Sequence, residues 1–388
     1  MFECEKNAVK GQTRIRDANE RHVLTLIRSQ GPLPKADIAR ITGLSAQSAT
    51  IIINRLEEAG LLRAGRPVKG MKGQPRIPYS INPQGAFSIG LKVGRRRLAL
   101  SVIDFSGTLL HCIEQPVTSP TPAGVREFVA HNISSLYSRI PQNCAARVAG
   151  LGIVMPFALW QWPQSALSQN ELEQWRDFDI RAVMTQLCDL PVYLCNDDTA
   201  ACSAELLFGQ LPVKDNFTYF YIGAFIGGGI VMNGQVVEGR TGNAGALGSL
   251  PVFVNGKVGQ LLEYASLNHL KQIIEPNEWE VLQSNIRSLA LPTRRKVEQW
   301  LDDAAQALVQ ASVIVQATND AGSIIIDGSM GAYLKGLIIH KVSEYLDTGD
   351  WRGVSKPAVY SGSLGEHAQL TGSANLPLIA RYYLPSYD

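Results

Sequence analysis

Apolar residues in the first ninety positions recur with helical spacing before the pattern changes to alternation. Val23, Leu26 and Ile27 mark a helix over roughly Asn19 to Ser29. A second helix is predicted over Lys35 to Thr42, with Ile38 and Ile41 on one side. Gly43 supplies the φ > 0 residue that ends such a helix, and Leu44 plugs the corner. Ser45 is a good N-cap for a third helix running from Ala46 to Ala59 and stopping at Gly60. Its Ala49, Ile52, Ile53 and Leu56 fall at i, i+3, i+4 and i+7, which is one buried stripe. Leu61-Leu62-Arg63 and Arg76 to Ile81 read as two strands around a loop from Gly65 to Gly73.

Asn82-Pro83-Gln84-Gly85 is a turn cluster, and the pattern changes beyond it. Ala86 to Val93, Leu98 to Ile103 and Thr108 to Ile113 read as three strands, with Asp104-Phe105-Ser106-Gly107 as a hairpin turn. A helix near Ala123 to Tyr137, a strand Val148 to Met155, a helix near Ile180 to Leu187, a strand Pro191 to Cys195 and a helix Thr199 to Phe208 follow. Much of this order recurs. Asn216 to Ile222, Gly229 to Asn233 and Gln235 to Val237 read as another meander. Helices over Gln260 to Ile274 and Arg294 to Thr318, a strand Ser323 to Ile326, a helix Gly331 to Tyr345, a strand Pro357 to Ser361 and a last helix complete it. Two successive units of this kind predict a duplicated α/β architecture of two lobes with a ligand cleft.

The face of the third helix opposite its stripe carries Gln47, Ser48, Thr50, Asn54 and Arg55. Such groups exchange hydrogen bonds with base edges and phosphates, as a recognition helix requires. The loop after it holds Arg66, Lys69 and Lys72, with Arg76 on the returning strand, the form of a basic wing that meets phosphate or the minor groove. A helical hairpin and β-hairpin inside an ordinary enzyme would share some of these signals. The agreement of cap, glycine turn, stripe and basic wing favours the first reading, and charge supports the same partner. Residues 1–90 hold fourteen Lys/Arg and seven Asp/Glu, a net +7 in a chain of net +2. A basic end on a body of about −5 is an electrostatic footprint for a polyanion.

With 388 residues and 45% hydrophobic positions, the chain is long enough for two or three cores. No apolar run reaches the length of a membrane span, and Met1-Phe2-Glu3-Cys4-Glu5-Lys6 is unlike a signal peptide. Cys4, Cys112, Cys144, Cys188, Cys195 and Cys202 are scattered without a CxxC, as expected of reduced, mostly buried thiols. A cytoplasmic protein with no membrane partner is expected.

Gly90-Leu91-Lys92-Val93-Gly94, Val192 to Asp198, Gly223 to Gly229, Gly242 to Ser249 and Gly256 to Ser266 stand in an order and spacing that resembles the ROK family, in its repressor form. The resemblance spans nearly the whole chain. It implies a winged helix-turn-helix (residues 1–83) and an actin-like, ribonuclease H-like, two-lobed sugar-kinase fold. The lobes would be residues 84–210 and 211–388, with the final helix packing back on the first. The departures bear on function. Where kinases of this type carry an Asp and a Thr for the Mg-bound phosphates, this chain has Lys92 and Arg96, followed by Arg97. The arginines can still attract an anion. Gly223-Ala224-Phe225 replaces Gly-Thr-Gly, and the surviving Gly227-Gly228-Gly229 reads as a flexible hairpin turn rather than a phosphate cradle.

Asn196-Asp197 matches the family's sugar-binding pair, Asp197 standing where a kinase keeps its base. Helix capping by Asn196, Asp197 or Asp198 is the other reading of the same residues. In the third motif Ala246 replaces a Glu and Ser249 a His. Phe253, Asn255 and Gln260 replace the three zinc-loop cysteines, and Leu262 the final Glu. With thiolates and imidazole gone, no structural zinc and no other cofactor is expected. Met155-Pro156-Phe157 also lacks the family's glycine after the proline.

These readings predict a transcriptional regulator of repressor type without catalytic residues. Its DNA-contacting set is Gln47, Ser48, Thr50, Asn54, Arg55, Arg66, Lys69, Lys72 and Arg76. A sugar or related effector would meet Asn196, Asp197, Asn243 and Ser249. The expected partners are an operator in double-stranded DNA and a second copy, as homodimer or homotetramer. The alternatives are an ATP-dependent sugar kinase with a regulatory head, and a DNA-binding protein whose lobes serve only assembly.

Overall fold

The computed structural model describes residues 11–68, 76–161, 171 and 173–384. The chain forms two compact units: residues 1–197 joined by the last stretch from Leu370, and residues 198–369.

The first unit opens with α1 (Gly11–Gln30), β1 (Leu33–Pro34), α2 (Lys35–Thr42), α3 (Ala46–Glu58), β2 (Leu62–Ala64) and β3 (Pro78–Ile81). The strands form a small sheet in the order β1-β3-β2, pairing Leu33 with Tyr79 and Leu62 with Ile81. Val23, Leu26, Ile27, Ile38, Ile52, Ile53 and Leu56 are buried together, so the predicted stripes meet in one core. Gly43 ends α2 at φ 68°, as the turn requires. Ile41 departs from expectation. It is exposed, and Ala39 takes the buried place beside Ile38, because an eight-residue helix turns only a narrow face to its neighbours.

The same unit continues with β4 (Phe87–Val93), β5 (Arg97–Asp104), β6 (Leu109–Pro116), α4 (Pro122–Tyr137), β7 (Val148–Met155), α5 (Ile180–Cys188) and β8 (Val192–Asn196). Its five-stranded sheet has the order β6-β5-β4-β7-β8, a meander followed by two parallel strands. Asp104 closes the β5–β6 turn, accepting from Ser106 N at 2.8 Å and Thr108 N at 3.0 Å. The last helix, α12 (Ala368–Tyr382), crosses this sheet at a slot made by two glycines paired on neighbouring strands. A Cβ on Gly90 would stand 2.2 Å from Ser373 Oγ, and one on Gly152 would stand 1.8 Å from Ser373 O. Pro377 lies four residues on and has no N–H for that carbonyl, which therefore faces Gly152 instead of closing a helical turn.

The second unit repeats the plan. It runs from α6 (Asp197–Phe208) through β9 (Phe217–Ile222), β10 (Ile226–Met232), β11 (Gln235–Val236), β12 (Pro251–Val254) and β13 (Lys257–Gln260). Then come α7 (Leu261–Ala265), α8 (Leu267–Ile273), α9 (Pro276–Ser284), α10 (Leu291–Asn319), β14 (Ser323–Gly328), α11 (Ala332–Thr348) and β15 (Ala358–Ser361). The order β11-β10-β9-β14-β15 is again a meander plus two parallel strands, so the duplicated α/β plan holds. Its main core packs α7, α8, α10 and α11 on one side of this sheet.

Two local expectations are corrected. Gly227-Gly228-Gly229 is not a hairpin turn but lies inside β10, opposite Tyr221, Phe220 and Tyr219. The absent side chains let neighbours close in. A Cβ would lie 1.9 Å from Asp198 Oδ2 at Gly227, 2.1 Å from Tyr219 O at Gly228 and 2.5 Å from Cys202 Cβ at Gly229. The helix predicted over Gln260 to Ile274 breaks at Ser266, which is extended at ψ 143° and accepts from Ile226 N through its hydroxyl. Helix α9 and the β12–β13 hairpin were not anticipated. Asn255 (φ 51°) and Gly256 (φ 78°) form the tight turn of that hairpin.

Candidate functional site

The head offers the clearest surface. Ser45 caps α3 by accepting from Ser48 N at 3.1 Å, while Ala49, Ile52, Ile53 and Leu56 hold the helix to the core. Among the predicted DNA-contacting residues, Gln47 and Asn54 lie exposed on the outer side of α3, with Thr50 half-buried between them. The Thr50 hydroxyl donates to Ala46 O at 2.7 Å, leaving its oxygen as an acceptor. Ser48 instead belongs to the cap, with its hydroxyl 2.8 Å from that of Ser45. Arg55 is half-buried and pairs with Glu20 on α1, so its guanidinium ties two helices of the head together.

Two side chains on this surface have no place in the sequence reading. Lys35 donates to Asn54 Oδ1 and lies 5.1 Å from the centre of the Tyr79 ring. Ile51 is half-exposed in the middle of the outer face. The positive residues around them are Arg40, Arg63, Arg66 and Arg76, all exposed. Arg76 reaches Asp37 only at 3.8 Å, an exposed pair too long to fix it. Lys69 and Lys72 lie outside the described residues. The signal for Lys35 was the charge count, which names a basic segment without naming its members.

The head is welded to the first sheet. Ala86, Ile103, Phe105, Ala149, Ala374, Leu378 and Tyr383 share one buried cluster with the α1–α3 residues. Arg21 of α1 donates to Tyr383 O at 2.7 Å and Ile379 O at 2.8 Å, binding the carbonyl end of α12. Burial lowers the Arg21 pKa, with Asp17 opposing that effect. Leu384 N donates to Thr25 Oγ1 at 2.9 Å, and Tyr383 OH to Phe105 O at 3.1 Å. The Asn82 to Gly85 turn is equally fastened: Asn82 donates to Gly60 O at 2.7 Å, and Arg147 to Gln84 O at 3.0 Å.

The positions that correspond to kinase motifs are largely engaged in structure. Lys92 is half-buried in β4. Arg96 donates to Thr118 O at 3.0 Å, and Arg97 pairs with Glu114 at 2.6 Å. Asn196 ends β8 and Asp197 opens α6, both half-buried. Asp198 packs its carboxylate on Gly227 and accepts from Gln369 at 2.8 Å, which makes it a structural residue. In the second unit, the Gly223–Phe225 turn gives two carbonyls to the first amides of α8, Leu267 N at 3.0 Å and Asn268 N at 3.1 Å. Asn243 is half-buried and Ser249 exposed in the loop between β11 and β12.

Where the zinc loop would stand, the β12–β13 hairpin is held by α10. Gln310 accepts from Phe253 N at 2.8 Å and donates to Phe253 O at 2.7 Å, and Asn255 donates to Asp303 at 2.9 Å. Among the described residues no group of three or more His, Cys, Asp or Glu side chains is placed to hold a metal ion. The Cys112 and Cys188 thiols are both pushed up to about 11 by burial, which keeps them protonated near neutrality.

At the carboxyl ends of β14 and β15, where open α/β sheets present ligands, the chain places an ionic cluster of its own. Fully buried Asp327 accepts from Lys335 Nζ at 2.8 Å, Gly365 N at 2.9 Å and Tyr219 OH at 3.2 Å. Lys335 also donates to Gly362 O at 2.7 Å. Glu205, equally buried, accepts from Ser363 N, Ser363 Oγ and Leu364 N at 2.7–3.0 Å. Desolvation raises the Glu205 pKa, Asp327 adds to it, and the three hydrogen bonds oppose it. Sequence reading missed this cluster, although an Asp closing the run Ser323 to Ile326 was a visible signal.

The sequence profile of the ROK family matches residues 88–378, and that of the MarR family matches residues 17–70. The chain is 24% identical over 288 residues to the xylose repressor of Bacillus spizizenii, covering 73% of this chain and 74% of that protein. Among solved structures, it resembles a ROK family transcriptional regulator, homologue of the E. coli MLC protein, with a TM-score of 0.68 at 20% identity. That likeness covers 96% of this chain and 98% of the regulator. A ROK family glucokinase from Streptomyces griseus, solved with glucose and AMPPNP, gives a TM-score of 0.55 at 20% identity over 75% of this chain and 99% of the kinase. No helix among the described residues is long and apolar enough to cross a membrane.

Proposed function

Because the chain belongs to the ROK family and carries a MarR-type winged helix ahead of the kinase-like body, we propose that it is a DNA-binding transcriptional repressor that senses a sugar or a related small molecule. The observation that carries this reading is the head itself. Its recognition helix is capped, packed and polar on the outside except at Ile51, and it shares a core with the first sheet and α12. A head fused in this way feels any rearrangement of the first sheet or of α12. In this reading Gln47, Thr50 and Asn54 meet base edges, and Lys35, Arg40, Arg63, Arg66, Lys69, Lys72 and Arg76 meet phosphate or the minor groove. Asn196, Asp197, Asn243 and Ser249 contact the effector.

The protein works in the cytoplasm as a homodimer or homotetramer on a pseudo-palindromic operator. It is not a kinase. Supporting this are Lys92 in place of a Mg-binding carboxylate, the α8 amides closed off by the 223–225 turn, and Asp327 with Lys335 at the strand ends.

Fluorescence anisotropy with the full chain and its own upstream DNA tests the reading. Tight binding at low salt that falls steeply as salt rises is expected. Failure to bind at low salt overturns it. Hexose turnover with ATP and Mg²⁺, abolished by Asp197→Asn, would put a sugar kinase in its place.

A further inference from the structure

Half of the Ile51 side chain (50%) is exposed, while Ala49, Ile52, Ile53 and Leu56 on the same helix are exposed by 6% or less. An isoleucine half in water there gives only part of its apolar surface to the head's own folding, and its β-branch is mildly unfavourable in a helix. Its neighbours on that face are polar: Gln47 stands four residues before it and Asn54 three residues after. Asn54 is itself oriented. Lys35 has only hydrogens to offer, so the Asn54 atom that faces it is the carbonyl oxygen, which leaves the amide NH₂ of this exposed residue as a donor. The outer face of α3 thus presents a hydrocarbon surface one helical turn from a fixed donor. In the major groove, thymine is the base that presents a methyl group beside an acceptor, its C5 methyl next to O4.

We propose that Ile51 and Asn54 together read a thymine in the operator, Ile51 covering the C5 methyl and Asn54 donating to O4 at that base or its neighbour. The inference rests on the DNA-binding reading above and adds to it the residue pair and the base. Gln47, one turn earlier, reads the adjacent step, and the positive residues around the face fix the register without selecting sequence.

The experiment uses a duplex enriched from a random-sequence library by the full-length wild-type protein. Each thymine of that duplex is replaced in turn by deoxyuridine, which lacks only the methyl group. Wild-type binding is expected to weaken by about fourfold at one thymine in each half-site, the worth of one buried methyl. Ile51→Ala should weaken binding to the parent duplex by a similar or larger factor and become indifferent to uracil at that thymine. Ile51→Val should retain the sensitivity, and all variants should melt as the wild type does. Equal uracil sensitivity in wild type and Ile51→Ala at every thymine overturns the proposal. If the library yields no enriched duplex, the DNA-binding reading itself fails, which is a separate outcome.

Discussion

Single residues show why type and neighbourhood must be read together. Arg55 fits a phosphate contact by composition, yet its guanidinium is held by Glu20. The glycines tell the same story. Gly90 belongs to a stretch that resembles a phosphate-binding motif, and here it clears space, with Gly152, for the Ser373 turn of α12. Gly152→Ala is expected to destabilise the first unit by about 1–3 kcal/mol, because the added methyl meets a backbone carbonyl rather than a side chain that can swing away. A fall in the urea midpoint at unchanged slope would show it, and an unchanged midpoint would contradict the slot. Periodicity cannot foresee this role. A glycine's reason lies in whatever approaches it.

Among elements, those with complete local signals were legible. The α3 helix has its cap, its stripe and its terminating glycine within sixteen residues, and β7 begins and ends where an uninterrupted apolar run does, between Arg147 and Pro156. Elements whose ends depend on distant partners were not. Ser266 breaks a helix because its hydroxyl is needed by Ile226 N, and the β12–β13 hairpin exists where the family resemblance suggests a metal loop. Two strands alone are marginally stable, so the hairpin depends on α10. Gln310→Ala should speed hydrogen exchange of the Phe253 amide by about tenfold, in keeping with about 1–2 kcal/mol for two lost hydrogen bonds. The rest of the second unit's sheet should exchange as before. Unaltered protection at Phe253 would mean that turn geometry alone holds the hairpin.

For the whole molecule, stability and function draw on different groups. Glu205 is buried with its pKa above the ordinary 4.5, chiefly by desolvation. A raised carboxyl makes the folded state bind more protons than the unfolded state. Its contribution is therefore complete below pH 4.5 and is lost as pH rises through the folded value. Replacing Glu205 with Gln should flatten the decline in urea midpoint from about pH 4.5 upward, relative to wild type. Parallel pH profiles for the two proteins would show that Glu205 does not titrate in that window. Sequence by itself determined the duplicated α/β plan, the winged head and its basic charge, because these are written in patterns a few residues long. Tertiary structure alone decided which polar residues of α3 remain available, why the glycines are needed, and that α12 joins the head's core. It also decided that Asp327, Lys335 and Glu205 close the strand ends of the second unit. Such contacts depend on which surfaces meet after folding, and partners on different elements, such as Glu205 and Ser363, leave no shared period in the chain.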